Sequence, residues 1–459
     1  MDKYISQELI KAALGQIPAD IVIRNGKLIN VYTSEIYLAD VAISGARIAA
    51  IGNVDYCIGD NTKIIDATGL YLSPGLIDSH IHPEASKITT TQFANAVISR
   101  GTTSIMCPLD HTAVVAGREG VRFTLDEIGK THLKAFHSSP SRLPYTTPAS
   151  TIAHNFTIED HKITQKWPEA NGIWEYMASD IEDMNQEVLD VANLTIQNGL
   201  FPHGHMPTTS GKIVSACAAA GTRDDHESYT AEEMMWKISN GIYGLIRRGT
   251  HLNNLPELVK ALTEHKIPSK YLAFCTDDLD CLDIRDFGLI DYLVREAIRL
   301  GVDPITAIQM GSINAAECYR VDLYVGSITP GRFADILLID DLSAFSINSV
   351  IASGVVIVDN KNIVHSTKSP KYPDYFYNTC RLNKPIETSD LLYKLDQDAE
   401  KVDVLCIHLN LDDGLISQGK VVSLQVENRV VSCDPENGIN FISVIDRHTG
   451  KGKTAKGFI

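Results

Sequence analysis

The sequence predicts an α/β chain: a parallel (β/α)8 TIM-type barrel inserted into a small composite β-sandwich, with a partial β-rich segment at the C-terminus. Three observations carry that expectation. Short apolar strands alternate with helical patterns such as DYLVREAIRL over roughly 250 residues in the middle of the chain. Eight such strands can be counted there, the number that closes a barrel. Similar β-rich runs flank the stretch on both sides.

The flanks read as two parts of one sandwich. Residues 21–67 contain IVIRNGKLIN, DVAISGARIAAIG and KIIDATG, and residues 325–364 repeat the style with GSITPGRFADILLID and INSVIASGVVIVDNKNIV. The expected boundaries are 1–73 for the first part, which includes an N-terminal helix, 74–322 for the barrel and 323–380 for the second part. Residues 381–459 form the last segment, where period-2 runs such as VDVLCIHLNL and KVVSLQVENRVVS return. The eight barrel strands are LIDSHIH (76–82), TTSIMC (102–107), KAFHSS (134–139), GIWEYM (172–177), LFPHGH (200–205), TRDDHE (222–227), IYGLIR (242–247) and YLAFCTDD (271–278).

Composition narrows the partners. Of 459 residues, 41 are basic and 57 acidic, a net charge of −16. That balance disfavours nucleic acid and anionic membranes and suits a neutral or cationic small substrate. Nine cysteines, an odd number with no C-x-x-C pair, argue against a disulfide framework or a thiolate zinc site and for a reducing compartment. The opening MDKYISQELIKAALGQIPAD lacks the basic patch and apolar core of a signal peptide, and no apolar run approaches about 18 residues. The expected location is the cytoplasm.

The chemistry gathers at strand ends. Strand one ends in His80 and His82, and residues i and i+2 of a strand face the same side. Glu175 ends the fourth strand, His205 the fifth, His226 the sixth and Asp277 the eighth. From His82 to Glu175 is 93 residues, and the next gaps are 30, 21 and 51. At roughly 31 residues per βα unit these are three units, one, one and two, which reproduces the strand numbering. Four imidazoles and two carboxylates at the mouth of such a barrel suit two divalent ions such as Mn, Fe or Zn. Two such ions lower the pKa of a water between them from about 15.7 towards 7, which makes hydrolysis at an electrophilic carbon the expected reaction class. His203, two residues before His205, could face the same way; the other histidines carry no comparable spacing.

These residues are identified as those of the amidohydrolase superfamily, and the finer resemblance is to bacterial adenine deaminases. GLYLSPGLIDSHIH, the flanking sandwich segments and the eighth-strand Asp carry the first match. HIHPEAS resembles the deaminases' HxHIESS, and GIWEYM their fourth-strand Glu motif. HGHMPTTSGK is similar to GHxPGLxGK, DDHESYTAEE to DHExxxxEE, LIRRGTHLNNL to MIREGSxxxNL and FCTDD to CTDD. The resemblance implies hydrolysis of adenine, or a related aminopurine, to hypoxanthine and ammonia at a binuclear Mn or Fe centre, with Zn as an alternative, in a homo-oligomer such as a dimer. It assigns His80, His82 and Asp277 to one ion, His205 and His226 to the other, and Glu175 between them. Asp277 shuttles the proton, and Glu84 and Glu227 hold or protonate the purine ring.

Two departures stand out. Where the family reads DPHE after strand two, this chain reads Pro108-Leu109-Asp110-His111. The final INFISVIDRHTGKGKTAKGFI resembles the start of the family's C-terminal domain, which is expected to be either shortened or degenerated here. Two other readings remain open at this point: a cyclic amide hydrolase of dihydroorotase or hydantoinase type, against which a fourth-strand Glu counts, and a catalytically impaired metal-binding relic.

Overall fold

The two flanking segments join in one hydrogen-bonded sheet. The first supplies β1 (Ile21–Asn30), β2 (Glu35–Ser44), β3 (Arg47–Gly52), β4 (Lys63–Asp66) and β5 (Tyr71–Pro74). The second supplies β14 (Ile336–Asp341), β15 (Ser346–Ala352), β16 (Val355–Asp359) and β17 (Asn362–Ile363). They meet where β5 pairs antiparallel with β14, Pro74 opposite Ile336 and Tyr71 opposite Ile339. The order is β17-β16-β15-β14-β5-β1-β2-β3, with β4 beside β1. Ile23, Leu28, Val41, Ile43, Leu72, Ile336 and Leu338 pack together on it. The computed structural model describes residues 6–145, 151–410 and 416–459; residues 1–5 of the N-terminal stretch and Leu411 of the VDVLCIHLNL run lie outside them.

Between the two halves of that sheet the chain forms an eight-stranded parallel barrel. Its strands are β6 (Leu76–Asp78), β7 (Thr102–Cys107), β8 (Lys134–Pro140), β9 (Ala170–Met177), β10 (Phe201–His205), β11 (Asp224–Asp225), β12 (Tyr243–Arg247) and β13 (Leu272–Cys275), paired in sequence order. β7 is buried at every position, as a strand covered on both faces must be. The helix Ile290–Arg299 shows how the outer layer is held. It buries Ile290, Leu293, Val294 and Ala297, the three- and four-residue spacing of one face, and ends on Arg299 at its negative pole. The ring closes between β6 and β13. Ser79 N donates to Phe274 O at 3.1 Å, Asp277 N donates to His80 O at 2.7 Å, and Ile81 bridges Asp277.

The eight expected strands are present, but three are much shorter than the sequence suggests. Strand one, expected through His82, ends at Asp78; strand six, expected over 222–227, keeps only Asp224 and Asp225; strand eight, expected over 271–278, keeps only Leu272–Cys275. At these places the backbone hydrogen bonds go elsewhere. The amides of His80 and Thr276 are taken by the Asp78 carboxylate, and those of Glu227 and Met206 by Asp225. The pairing of His80 with His82 therefore rests on ring closure and not on strand alternation.

The chain divides into two compact units, the larger comprising residues 1–113, 117–143 and 156–371. The smaller comprises residues 114–116, 144–155 and 372–459 and is built on a sheet of order β20-β19-β18-β22-β21. Its strands are β18 (Lys401–Asn410), β19 (Ile416–Glu427), β20 (Val430–Val431), β21 (Phe441–Ile445) and β22 (Thr454–Phe458), around Cys406, Leu424, Val431 and Phe458. All nine cysteines are free thiols, six of them buried. Among the described residues no helix is long and apolar enough to cross a membrane.

Candidate metal centre

Asp78 builds the first corner of the site. It is fully buried at the end of β6, and its Oδ1 accepts from the amides of His80 (3.2 Å) and Thr276 (3.1 Å) while Oδ2 accepts from Thr276 Oγ1 (2.5 Å). One carboxylate thus ties the His80–His82 loop to the segment that carries Asp277. Burial raises the Asp78 pKa to about 7 against these hydrogen bonds.

Glu175 reaches the same place by a bulge. Along β9, Trp174 belongs to the barrel interior, whereas Ile173 and Tyr176 pack outward against the helices. Alternation would send Glu175 outward as well. Instead the register against β10 slips between Pro202 and Gly204, and Glu175 takes a left-handed backbone with φ 55°. The bulge turns its carboxylate inward. Asp277 is also left-handed, at φ 62°. Such conformations cost non-glycine residues about 1–2 kcal/mol each and collect at functional sites.

The side chains then converge. His80 Nε2 lies 3.4 Å from Glu175 Oε1 and 3.7 Å from Asp277 Oδ1; His82 Nε2 lies 3.7 and 3.6 Å from the same oxygens. His226 Nε2 is 3.9 Å from Glu175 Oε1 and 3.3 Å from Glu227 Oε1, and His205 Nδ1 contacts Glu175 Oε2. Two nitrogen or oxygen ligands held about 2.1 Å from one ion stand about 3.0–3.4 Å apart, so these spacings fit shared cations. Of four groups among the described residues with ligand atoms within 4.8 Å of one another, three meet here: His80 with Glu175 and His226, His80 with His82 and Asp277, and His205 with His226 and Glu227. His80 Nε2 is buried with no hydrogen-bond partner among the described residues, and His205 Nδ1 and Glu175 Oε2 are buried against each other. The donor set fits a pair of borderline or hard divalent ions.

The electrostatics agree with that fit. His80 is pushed down to about 4, first by burial and then by the neighbouring His226. Burial also opposes charge on His205, but the Glu175 carboxylate outweighs it and lifts the ring to about 9. Burial opposes ionisation of Glu175 and Asp277 too, yet His205 beside the first and His80 and His226 beside the second hold both below the usual carboxylate range. The acids stay ionised in a buried space, which is the charge arrangement that draws cations in.

Glu84 lies outside these groups, in the turn Pro83–Ser86. Thr112 donates to its Oε1 through N (3.0 Å) and Oγ1 (2.9 Å), and its Oε2 is buried without a hydrogen bond. Glu227 sits with the second group and pairs with Arg247. His203 does face inward with His205, but its Nδ1 is held by Asp224 Oδ2 at 2.6 Å and its Nε2 by Asn171 Oδ1 at 3.1 Å, and its ring stacks on Tyr319. It belongs to the layer beneath the site.

Sequence reading missed Arg247, the last residue of β12 and 1% exposed. Its guanidinium donates to Glu227, to Asp277 Oδ2 at 2.8 Å and to Asn254 Oδ1 at 3.2 Å. Arg247 and Asn254 stand near the two ends of LIRRGTHLNNL, so the motif itself was the available signal. The Asp225–Lys237 pair was missed as well. Lys237 Nζ donates to Asp225 Oδ2 and to Met206 O, 2.8 and 2.7 Å, and so ties the residues adjacent to His226 and His205 to each other.

Comparison with known proteins gives a consistent picture. Residues 71–357 match the amidohydrolase family model. Adenine deaminase 1 of Desulfotalea psychrophila is 41% identical over 100% of this chain and 77% of its own length. Adenine deaminase 1 of Latilactobacillus sakei is 38% identical over 98% and 76%. Among solved structures, a β-aspartyl dipeptidase from Fervidobacterium islandicum superposes with a TM-score of 0.56 at 18% identity, covering 76% of this chain and 99% of that one. An adenosine deaminase from Xanthomonas campestris with bound zinc gives 0.55 at 15% identity, covering 76% and 95%.

Proposed function

The chain belongs to the amidohydrolase family and, within it, to the adenine deaminases, and we propose that it hydrolyses adenine to hypoxanthine and ammonia with the residues at the barrel mouth. The observation that supports this most is the meeting of His80, His82, Glu175, His205, His226 and Asp277 at one place from five strand ends. His80, His82 and Asp277 would hold one divalent ion, His205 and His226 the other, and Glu175 both. When bound, such a pair ionises water near neutral pH. Mn or Fe is the proposed metal, Zn the alternative.

In the reaction a C–O bond forms at C6 of the purine and the C6–N bond breaks. Asp277 takes one proton of the attacking water and passes it to the departing amino nitrogen, which leaves as ammonia, while the water's other proton ends on ring nitrogen N1 of the product. Arg247 keeps Asp277 Oδ2, which leaves Oδ1 on the histidine side. Glu227, paired to Arg247, is held ionised and acts as a hydrogen-bond acceptor to the ring. Glu84, whose Oε1 is fixed by Thr112, offers Oε2, without a donor among the described residues, as acceptor to a purine N–H. A related aminopurine would meet the same groups.

The test is ammonia release from adenine by Mn-loaded protein, with dihydroorotate and hydantoin in parallel. Turnover of adenine alone is expected. Turnover of the cyclic amides without adenine ends this reading.

A further inference from the structure

The departure after strand two places a second carboxylate behind the site. Asp110 opens the helix Asp110–Ile128 and is 3% exposed. Its Oδ1 lies 2.9 Å from His82 Nδ1, inside the protein, and also accepts from the His111 amide at 3.0 Å. The opposite nitrogen, His82 Nε2, faces Glu175 and Asp277. An acceptor at Nδ1 fixes the proton there, so the Nε2 lone pair is turned toward those acids.

The backbone is shaped to the same end. Leu109, immediately before Asp110, adopts φ 52° and ψ 37° with its side chain fully buried. A branched residue disfavours this left-handed conformation, and its persistence requires that the surroundings enforce it. The kink turns the chain from the strand end into the helix so that Asp110 meets His82.

We propose that Asp110 is a positioning residue for the metal centre: its carboxylate holds the His82 ring in the tautomer and orientation that offer Nε2 to an ion. This rests on the two-ion reading above. Carboxylates placed behind a ligating imidazole raise its basicity, and losing one costs about ten- to a hundredfold in metal affinity or activity. Asp110, His82 and His111 also form a group of three close ligand atoms. An ion held there would take Nδ1 from the hydrogen bond, which is the opposite use of the same ring.

The experiment uses the full chain loaded with Mn, in wild-type form and as Asp110→Ala and Asp110→Asn. Metal per chain is read by elemental analysis after dialysis against graded chelator, and the metal-free proteins are melted by circular dichroism. Asp110→Ala is expected to surrender one of its two ions at a chelator concentration about ten- to a hundredfold lower than wild type. The other ion stays, and the metal-free melting temperature stays close to wild type. Asp110→Asn, which keeps a neutral acceptor, should fall between. Wild-type retention of both ions by whichever variant folds overturns the proposal while leaving the two-ion reading intact. A wild-type protein that binds no ion removes both.

Discussion

The two ends of the barrel bury charge in opposite ways. Where the strands begin, Lys134 of β8 places Nζ 2.7 Å from Asp335 Oδ1, with both side chains about 95% covered. One cation meets one anion, and Ser353 N adds a hydrogen bond to the same oxygen. Where the strands end, Glu175, Glu227 and Asp277 face a single guanidinium and four imidazoles whose outward nitrogens converge. A single ion pair is a structural element; ligand atoms brought from several strand ends onto one space are a binding site. The difference teaches that convergence, more than burial, separates the two.

The strongest way to break that comparison is at the mouth. His205→Ala should lower kcat/KM for adenine by more than about a hundredfold, beyond the usual cost of a group behind a ligand. The melting temperature should move by no more than a few degrees, since barrel-mouth residues contribute little to the packed interior. Near-normal ammonia release from that variant would remove His205 from the site. The opposite end should respond in the opposite currency. Lys134→Met leaves Asp335 buried and unpaired, so unfolding stability is expected to fall by about 3–5 kcal/mol in a denaturant titration. Metal content and kcat per folded molecule should hold.

Arg247→Lys sharpens the comparison from within the mouth, because it keeps the charge and loses the fork that grips Glu227 and Asp277 together. Steady-state kinetics should show kcat reduced by about tenfold, a modest loss by the scale of proton-transfer catalysis. KM should change little if the loss falls on Asp277. A change confined to KM would instead tie Arg247 to substrate binding.

The smallest expected effect is a graded one with pH. In the metal-free protein His205 titrates at about 9, above its ordinary value near 6.5, because Glu175 favours the charged ring. The stability from that pair is therefore complete below about 6.5 and disappears as pH rises through about 9. An ion must displace the same proton, so metal binding releases protons and apparent affinity increases from pH 6.5 to 8.5. Chelator competition at three pH values in that range measures it. A flat profile would mean that His205 carries no proton before metal enters.

Much of the barrel was legible because buried parallel strands are continuous apolar runs and their spacing follows the βα unit. The ligand types and order were legible for the same reason, since strand ends recur about every 31 residues. Glu84 and Glu227 came from motif resemblance, and the structure separates them: one stands apart in a turn, the other joins the second ligand group. Arg247 escaped because an arginine near the end of an apolar strand reads as an exposed cap. Only its neighbours after β11 and after β13, Glu227 and Asp277, reveal a buried clamp.

The sequence by itself determined which side chains could serve and at which strand each would stand, because spacing along the chain survives any folding. Tertiary structure decided which way they point. Alternation would have turned Glu175 away from Trp174, and a one-residue slip against β10 with a left-handed backbone turned it back. The pull of Asp78 on the segment before Asp277, and of Asp110 on His82, likewise joins residues far apart in sequence. Those choices are made by neighbouring strands and by the closing of the ring, whose hydrogen bonds no local pattern records.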